Sequence, residues 1–281
     1  MKLKQKLAIN YLRTKFKLLA QISKTKTADQ VFTLFCTPLL KASSKPRIVF
    51  TWAEEVNFIL NGLKVYGYRW NKEAAYKVLI LHGFGSSANN FHYYIEAMLE
   101  KGYQVLAFDA PAHGKSQGKT VNVLEYSQLI QKIILQYGPI DGYIAHSFGG
   151  IALSLALEKT PHDHHTKIVL IAPATETSTA IDSAFELLQI NDKAVRAAFD
   201  SIIFQKSGYP VNWYSIKRAM KNIQASVLWI HDEDDDVTPL SDALKVKEAG
   251  FKNIEFIITS GLGHRNIYRD KSVQKKVTQF L

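Results

Sequence analysis

Five short runs in this chain are apolar from end to end: VLIL, VLAF, IVLI, VLWI and FII. A strand with one face in water alternates apolar and polar residues, so runs without alternation suit strands covered on both faces. Strands are expected at Gly62–Trp70, Lys77–Leu81, Gln104–Phe108, Gly142–Ala145, Lys167–Ile171, Ser226–Ile230 and Asn253–Ile258, five of which hold these runs. Helical patterns fall between them, near 88–101, 122–137, 149–159, 241–249 and 265–280. This alternation predicts an α/β fold with a mainly parallel sheet flanked by helices. One interval is too long for it. More than fifty residues separate Ile171 from Ser226, where a crossover needs about a dozen. Ile181–Leu188, Lys193–Phe204 and Tyr214–Lys221 have helical patterns, so about 174–224 is read as an inserted helical cap at the C-terminal edge of the sheet, where open α/β folds place their ligands.

The net charge of +10 raises the question of a nucleic-acid partner, and its distribution argues against one. Residues 1–45 hold ten basic side chains (Lys2, Lys4, Lys6, Arg13, Lys15, Lys17, Lys24, Lys26, Lys41 and Lys45) and one acid, Asp29. The remainder has 25 basic and 24 acidic residues, whereas a nucleic-acid-binding body carries its own basic stripe. The expected organisation is a basic helical arm, 1–45, followed by one α/β domain, 46–281, that includes the cap. Within the arm, Leu3, Leu7, Tyr11, Leu12, Phe16 and Leu19 recur at three- and four-residue spacing, giving a helix with an apolar stripe. That stripe either packs on the body or brings residues 1–24 to an anionic membrane surface. The single cysteine, Cys36, cannot form an internal disulfide. No apolar run reaches the roughly 18 residues of a membrane span, and no cleaved signal pattern is present. A cytoplasmic protein, in part membrane-peripheral if the arm binds lipid, is expected. The sequence leaves the oligomeric state open.

Ala145-His146-Ser147-Phe148-Gly149-Gly150 follows an apolar strand and opens a helix. Small-x-Ser-x-Gly in that context is a sharp turn that lifts a serine hydroxyl out of the sheet toward the helix N-terminus. A nucleophile there needs donors for the oxyanion that develops on the attacked carbonyl. The Phe148 N–H, just after the serine, is one. The loop His82-Gly83-Phe84-Gly85-Ser86 leaves a neighbouring strand, and its Phe84 N–H is the expected second. A base must also take the serine proton. Of nine histidines, His264 in Ser260-Gly261-Leu262-Gly263-His264 stands directly after the last strand, within reach of Ser147. His162, His164 and His165 sit in a polar stretch and are expected in solvent, without metal. The orienting acid should lie between serine and histidine in the chain. Asp232, Glu233, Asp234, Asp235 and Asp236 are all candidates.

Together these segments resemble the α/β-hydrolase superfamily, its esterase and serine-aminopeptidase-like branch, over about residues 60–281. His-Gly-Phe-Gly comes first, then Asp109-Ala110-Pro111-Ala112-His113-Gly114-Lys115-Ser116, Ala-His-Ser-Phe-Gly-Gly, the acid loop ending in Pro239, and Gly-Leu-Gly-His. Segment 109–116 resembles the family's Asp-x-Pro-Gly-His-Gly-x-Ser turn, with Ala112 where glycine is usual. The resemblance selects Asp235, because the family's acid precedes the proline by four residues. Asp232 then occupies a position where the family has glycine, and it is expected to tolerate substitution, as are Asp234 and Asp236. The resemblance implies a cofactor-free serine hydrolase acting on an ester or related acyl bond of a small-molecule substrate, with triad Ser147, Asp235 and His264. Two other readings remain: a non-catalytic ligand-binding protein on the same scaffold, and a lipid hydrolase working at a membrane surface.

Overall fold

The computed structural model describes residues 3–39 and 47–281. Lys2, Lys41, Lys45 and the expected 45/46 boundary lie outside the described residues, as does the side chain of Leu3. Contacts divide the chain into two compact units, Met1–Thr37 with Glu176–Ser215, and Pro38–Thr175 with Ile216–Leu281.

The larger unit is built on eight strands: β1 (Glu54–Leu60), β2 (Leu63–Trp70), β3 (Lys77–Leu81), β4 (Gln104–Phe108), β5 (Gly142–His146), β6 (Lys167–Ile171), β7 (Ser226–Asp232) and β8 (Ile254–Thr259). They form one sheet in the order β1-β2-β4-β3-β5-β6-β7-β8. β1 and β2 are antiparallel to their neighbours, and all pairs from β4 to β8 are parallel. In β3 both alternating sets are buried: Val78 and Ile80 join a cluster with Tyr94, Ile95, Val273 and Val277, while Leu79 and Leu81 are buried as well. Successive strand residues point to opposite faces, so both faces of β3 are covered, as its unalternated run requires; the FII run departs from this expectation, because β8 is an edge strand with no buried residue.

The two units supply the helices in turn. Leu3–Ile22 is α1, Lys24–Phe35 is α2, His92–Glu100 is α3, Val123–Tyr137 is α4 and Phe148–Leu157 is α5. The long interval holds α6 (Thr177–Leu187), α7 (Lys193–Ser207) and α8 (Ile216–Ala219), and the chain ends with α9 (Leu240–Lys247), α10 (Gly263–Asn266) and α11 (Lys271–Phe280). The helix expected over 265–280 is interrupted because Asp270 caps α11, accepting from the N–H groups of Ser272 (2.9 Å) and Val273 (3.1 Å).

β1 was not expected from the pattern. It is an edge strand with only Val56 and Leu60 buried, and two acids open it ahead of its short run Phe58-Ile59-Leu60. Its signal is Asn61-Gly62, a two-residue hairpin turn with φ of 48° and 78° between the paired residues Leu60 and Leu63.

The smaller unit joins the arm to the insert. Phe16, Ala20, Ala28 and Val31 of α1 and α2 share one core with Ile181, Phe185, Val195 and Phe199 of α6 and α7. Phe199 meets Phe32, Phe35 and Phe185 edge to face, with centroids 5.7, 6.0 and 5.3 Å away. Arg13 donates from Nε to the Leu187 carbonyl at 3.0 Å, and Lys24 pairs with Asp192, the residue that caps α7. The arm is thus a structural partner of the insert, a grouping that differs from the expected division at residue 45.

Candidate active site

Ser147 lies between β5 and α5 with φ 54° and ψ −121°, a region that costs an L residue on the order of 1–3 kcal/mol. The turn is held from several sides. The Ser147 N–H donates to the Ile171 carbonyl (3.1 Å), and its own carbonyl accepts from Gly150 (2.9 Å) and Ala174 (3.0 Å). Two glycines make room. A Cβ on Gly149 would stand 2.8 Å from the His82 carbonyl oxygen, and one on Gly83 would stand 2.9 Å from Ser147 Cβ. The strand-exit loop therefore passes directly against the serine.

His264 follows β8 and is brought to the serine by that strand's register in the sheet. Its Nε2 lies 2.9 Å from Ser147 Oγ and its Nδ1 lies 2.8 Å from Asp235 Oδ2. With the carboxylate as acceptor, Nδ1 carries the proton and Nε2 offers its lone pair to the hydroxyl. Asp235 Oδ1 accepts from the N–H groups of Val237 (2.9 Å) and Thr238 (2.8 Å). Burial pushes the Asp235 carboxyl up. The hydrogen bond and charge of His264, with those backbone donors, outweigh it and hold the group below its ordinary range.

Several supporting residues were not foreseen. The Thr238 hydroxyl sits 2.8 Å from Asp235 Oδ2 and 3.0 Å from His264 Nδ1. His231 accepts at Nδ1 from the Trp229 indole (3.3 Å) and donates from Nε2 to the Thr238 carbonyl (2.7 Å). Burial lowers its pKa, so it stays neutral beside Asp235 and leaves that charge to His264. Buried His146 donates from Nε2 to the His264 carbonyl at 3.1 Å. Asp232 is fully buried and holds the loop that carries His264: Oδ1 accepts from Gly263 (2.9 Å), and Oδ2 from Leu262 (3.2 Å) and the Thr259 hydroxyl (2.7 Å). Asp232, expected to tolerate substitution, is tied to this loop by three hydrogen bonds. A carboxylate there does by side chain what a glycine could not.

The Phe84 and Phe148 rings meet edge to face, 5.5 Å apart, and neither residue's N–H donates to an acceptor among the described residues. The loop bearing Phe84 is braced by the 109–116 segment. His113 Nε2 accepts from the Gly85 N–H (2.9 Å), His82 Nε2 accepts from Ala110 (3.0 Å), and Asp109 Oδ1 accepts from Ala88 (2.9 Å). Ala112 adopts φ 65° in that turn, which explains why glycine is usual there. Far from this site, His162 accepts from the Gln224 N–H at 3.0 Å. Among the described residues no cluster of three His, Cys, Asp or Glu could hold a metal ion.

Burial lowers the pKa of His82 and His113 to about 4 and of His146 to about 3. All three stay neutral in the folded protein down to those values, while an unfolded histidine takes a proton near pH 6.5. The unfolded chain therefore binds more protons between about 6.5 and 4, and folded-state stability is lost as pH falls through that window. Urea midpoints measured from pH 7 to 5 are expected to drop steeply, and a flat profile would contradict the neutral, buried imidazoles.

Residues 72–204, slightly under half of the chain, match the family described as serine aminopeptidase, S33. The uncharacterised hydrolase YugF of Bacillus subtilis is 30% identical over 41% of this chain and 42% of its own length. The chain covers only about two fifths of each of the first two curated relatives. Among solved structures, an esterase of Pyrococcus furiosus superposes with a TM-score of 0.65 at 20% identity, over 88% of this chain and 97% of that one. A membrane phospholipase A, described as a bacterial virulence factor, superposes with a TM-score of 0.60 at 17% identity, over 99% of this chain and 98% of that one.

Proposed function

We propose that this chain, whose fold is that of the solved esterase it superposes on, is a serine hydrolase of the α/β-hydrolase superfamily cleaving a carboxylic ester or related acyl bond through an acyl-enzyme. The observation that carries this reading is the unbroken relay from Asp235 through His264 to Ser147, at 2.8 and 2.9 Å. Ser147 Oγ attacks the substrate carbonyl while its proton passes to His264 Nε2. The new carbon–oxygen bond puts negative charge on the carbonyl oxygen, which the Phe84 and Phe148 N–H groups receive, helped by the N-terminus of α5. The imidazolium returns its proton to the leaving alcohol as the tetrahedral adduct collapses. Water, activated by the same imidazole, then releases the acid and restores Ser147. No cofactor enters this scheme. The names of the similar proteins, an esterase and a phospholipase among them, favour an ester substrate.

A fluorophosphonate probe tests the reading without knowledge of the substrate. The folded protein is expected to be labelled at Ser147 within minutes. A folded protein that resists the probe at pH 8 has no activated serine, and the non-catalytic reading would then stand.

A further inference from the structure

α1 carries two apolar faces, and only one of them is used by the fold. At 100° per residue, Leu12, Phe16 and Ala20 point one way, and these are the residues packed in the core of the smaller unit. Leu7, Tyr11, Leu18 and Ile22 fall within an arc of about 60° on the opposite side, a stripe about 22 Å long. They are 61%, 68%, 63% and 82% exposed. Four large apolar side chains aligned in water on one helix face are not the scattered exposure of an ordinary surface.

The surroundings of the stripe select its occupant. Lys15 borders it on one side, and Lys17 and Lys6 lie on the other flank, all three exposed. Residues 1–28 contain eight basic side chains and no acid. A second copy of this chain would set that charge against itself. We propose that α1 lies in the interface of an anionic phospholipid bilayer, with Leu7, Tyr11, Leu18 and Ile22 between the acyl chains and Lys6, Lys15 and Lys17 reaching up to the headgroups. No described helix is long and apolar enough to cross a membrane, so the contact is peripheral. The single stripe expected from the sequence is divided in the fold: Leu12 and Phe16 turn inward, and Leu7 and Tyr11 turn outward.

Vesicle flotation of the full chain tests this independently of catalysis, since Ser147→Ala should float as the wild type does. The protein is expected to float with vesicles containing phosphatidylglycerol, at least tenfold less with pure phosphatidylcholine, and to be released at high salt. Leu7→Gln combined with Leu18→Gln and Ile22→Gln should reduce flotation at least tenfold without moving the melting temperature, because these side chains make no core. Lys15→Gln with Lys17→Gln should weaken the preference for anionic lipid. Failure of the folded wild type to float, or equal flotation on neutral vesicles, overturns the proposal. So does a lipid-free dimer that the triple variant dissolves, which would make a second copy the occupant.

Discussion

Ser147→Ala is expected to lower turnover of any ester the protein hydrolyses by a factor of about 10⁴ or more, leaving only what binding and the oxyanion donors supply. The loss is chemical, because alanine keeps the backbone at φ 54° and removes only the hydroxyl facing His264. Thermal melts of the two proteins should coincide within a few degrees. Near-wild-type turnover in the alanine variant would remove the serine from the mechanism.

Asp235→Asn is expected to cost about 10⁴ in turnover as well, through the tautomer of His264. The Oδ1 position accepts from the Val237 and Thr238 N–H groups, so the amide oxygen must stand there. The amide NH₂ then occupies the place of Oδ2, 2.8 Å from His264 Nδ1. Donor would face donor. The imidazole answers by moving its proton to Nε2, and it can no longer accept one from Ser147. Asp236→Asn, at an exposed position, is the control and should change little. Measured kcat for both variants decides it: if the Asp235 variant loses no more than the control, the orienting acid has been misassigned.

Much of this was legible in the sequence because burial on both faces leaves a mark on composition. The five runs from VLIL to FII located β3, β4, β6, β7 and β8 within one or two residues, and the turn around Ser147 announced itself by its small neighbours. β1 was missed although Phe58-Ile59-Leu60 is as apolar as FII: two acids open the strand, and five of its seven residues are not buried. Ser147 and His264 followed from their places at strand ends. Asp235 needed the resemblance, because nothing in a run of five acids says which one turns inward. Thr238, His231 and Asp232 were silent for a different reason: their roles arise where the loops after β7 and β8 meet, and spacing along the chain does not record that. Helical periodicity likewise reports that α1 has an apolar side and says nothing of which partner will cover it.

The shared core of α1, α2, α6 and α7 has a consequence for the order of events during synthesis. α1 and α2 are made before α6 and α7, and the faces that will cover Phe16 and Val31 are encoded some 140 residues later, from Glu176 to Ser215. At about 5–20 residues per second, the ribosome takes on the order of ten to thirty seconds to deliver them. Through that delay α1 and α2 must carry Phe16 and Val31 without the cover that α6 and α7 later supply.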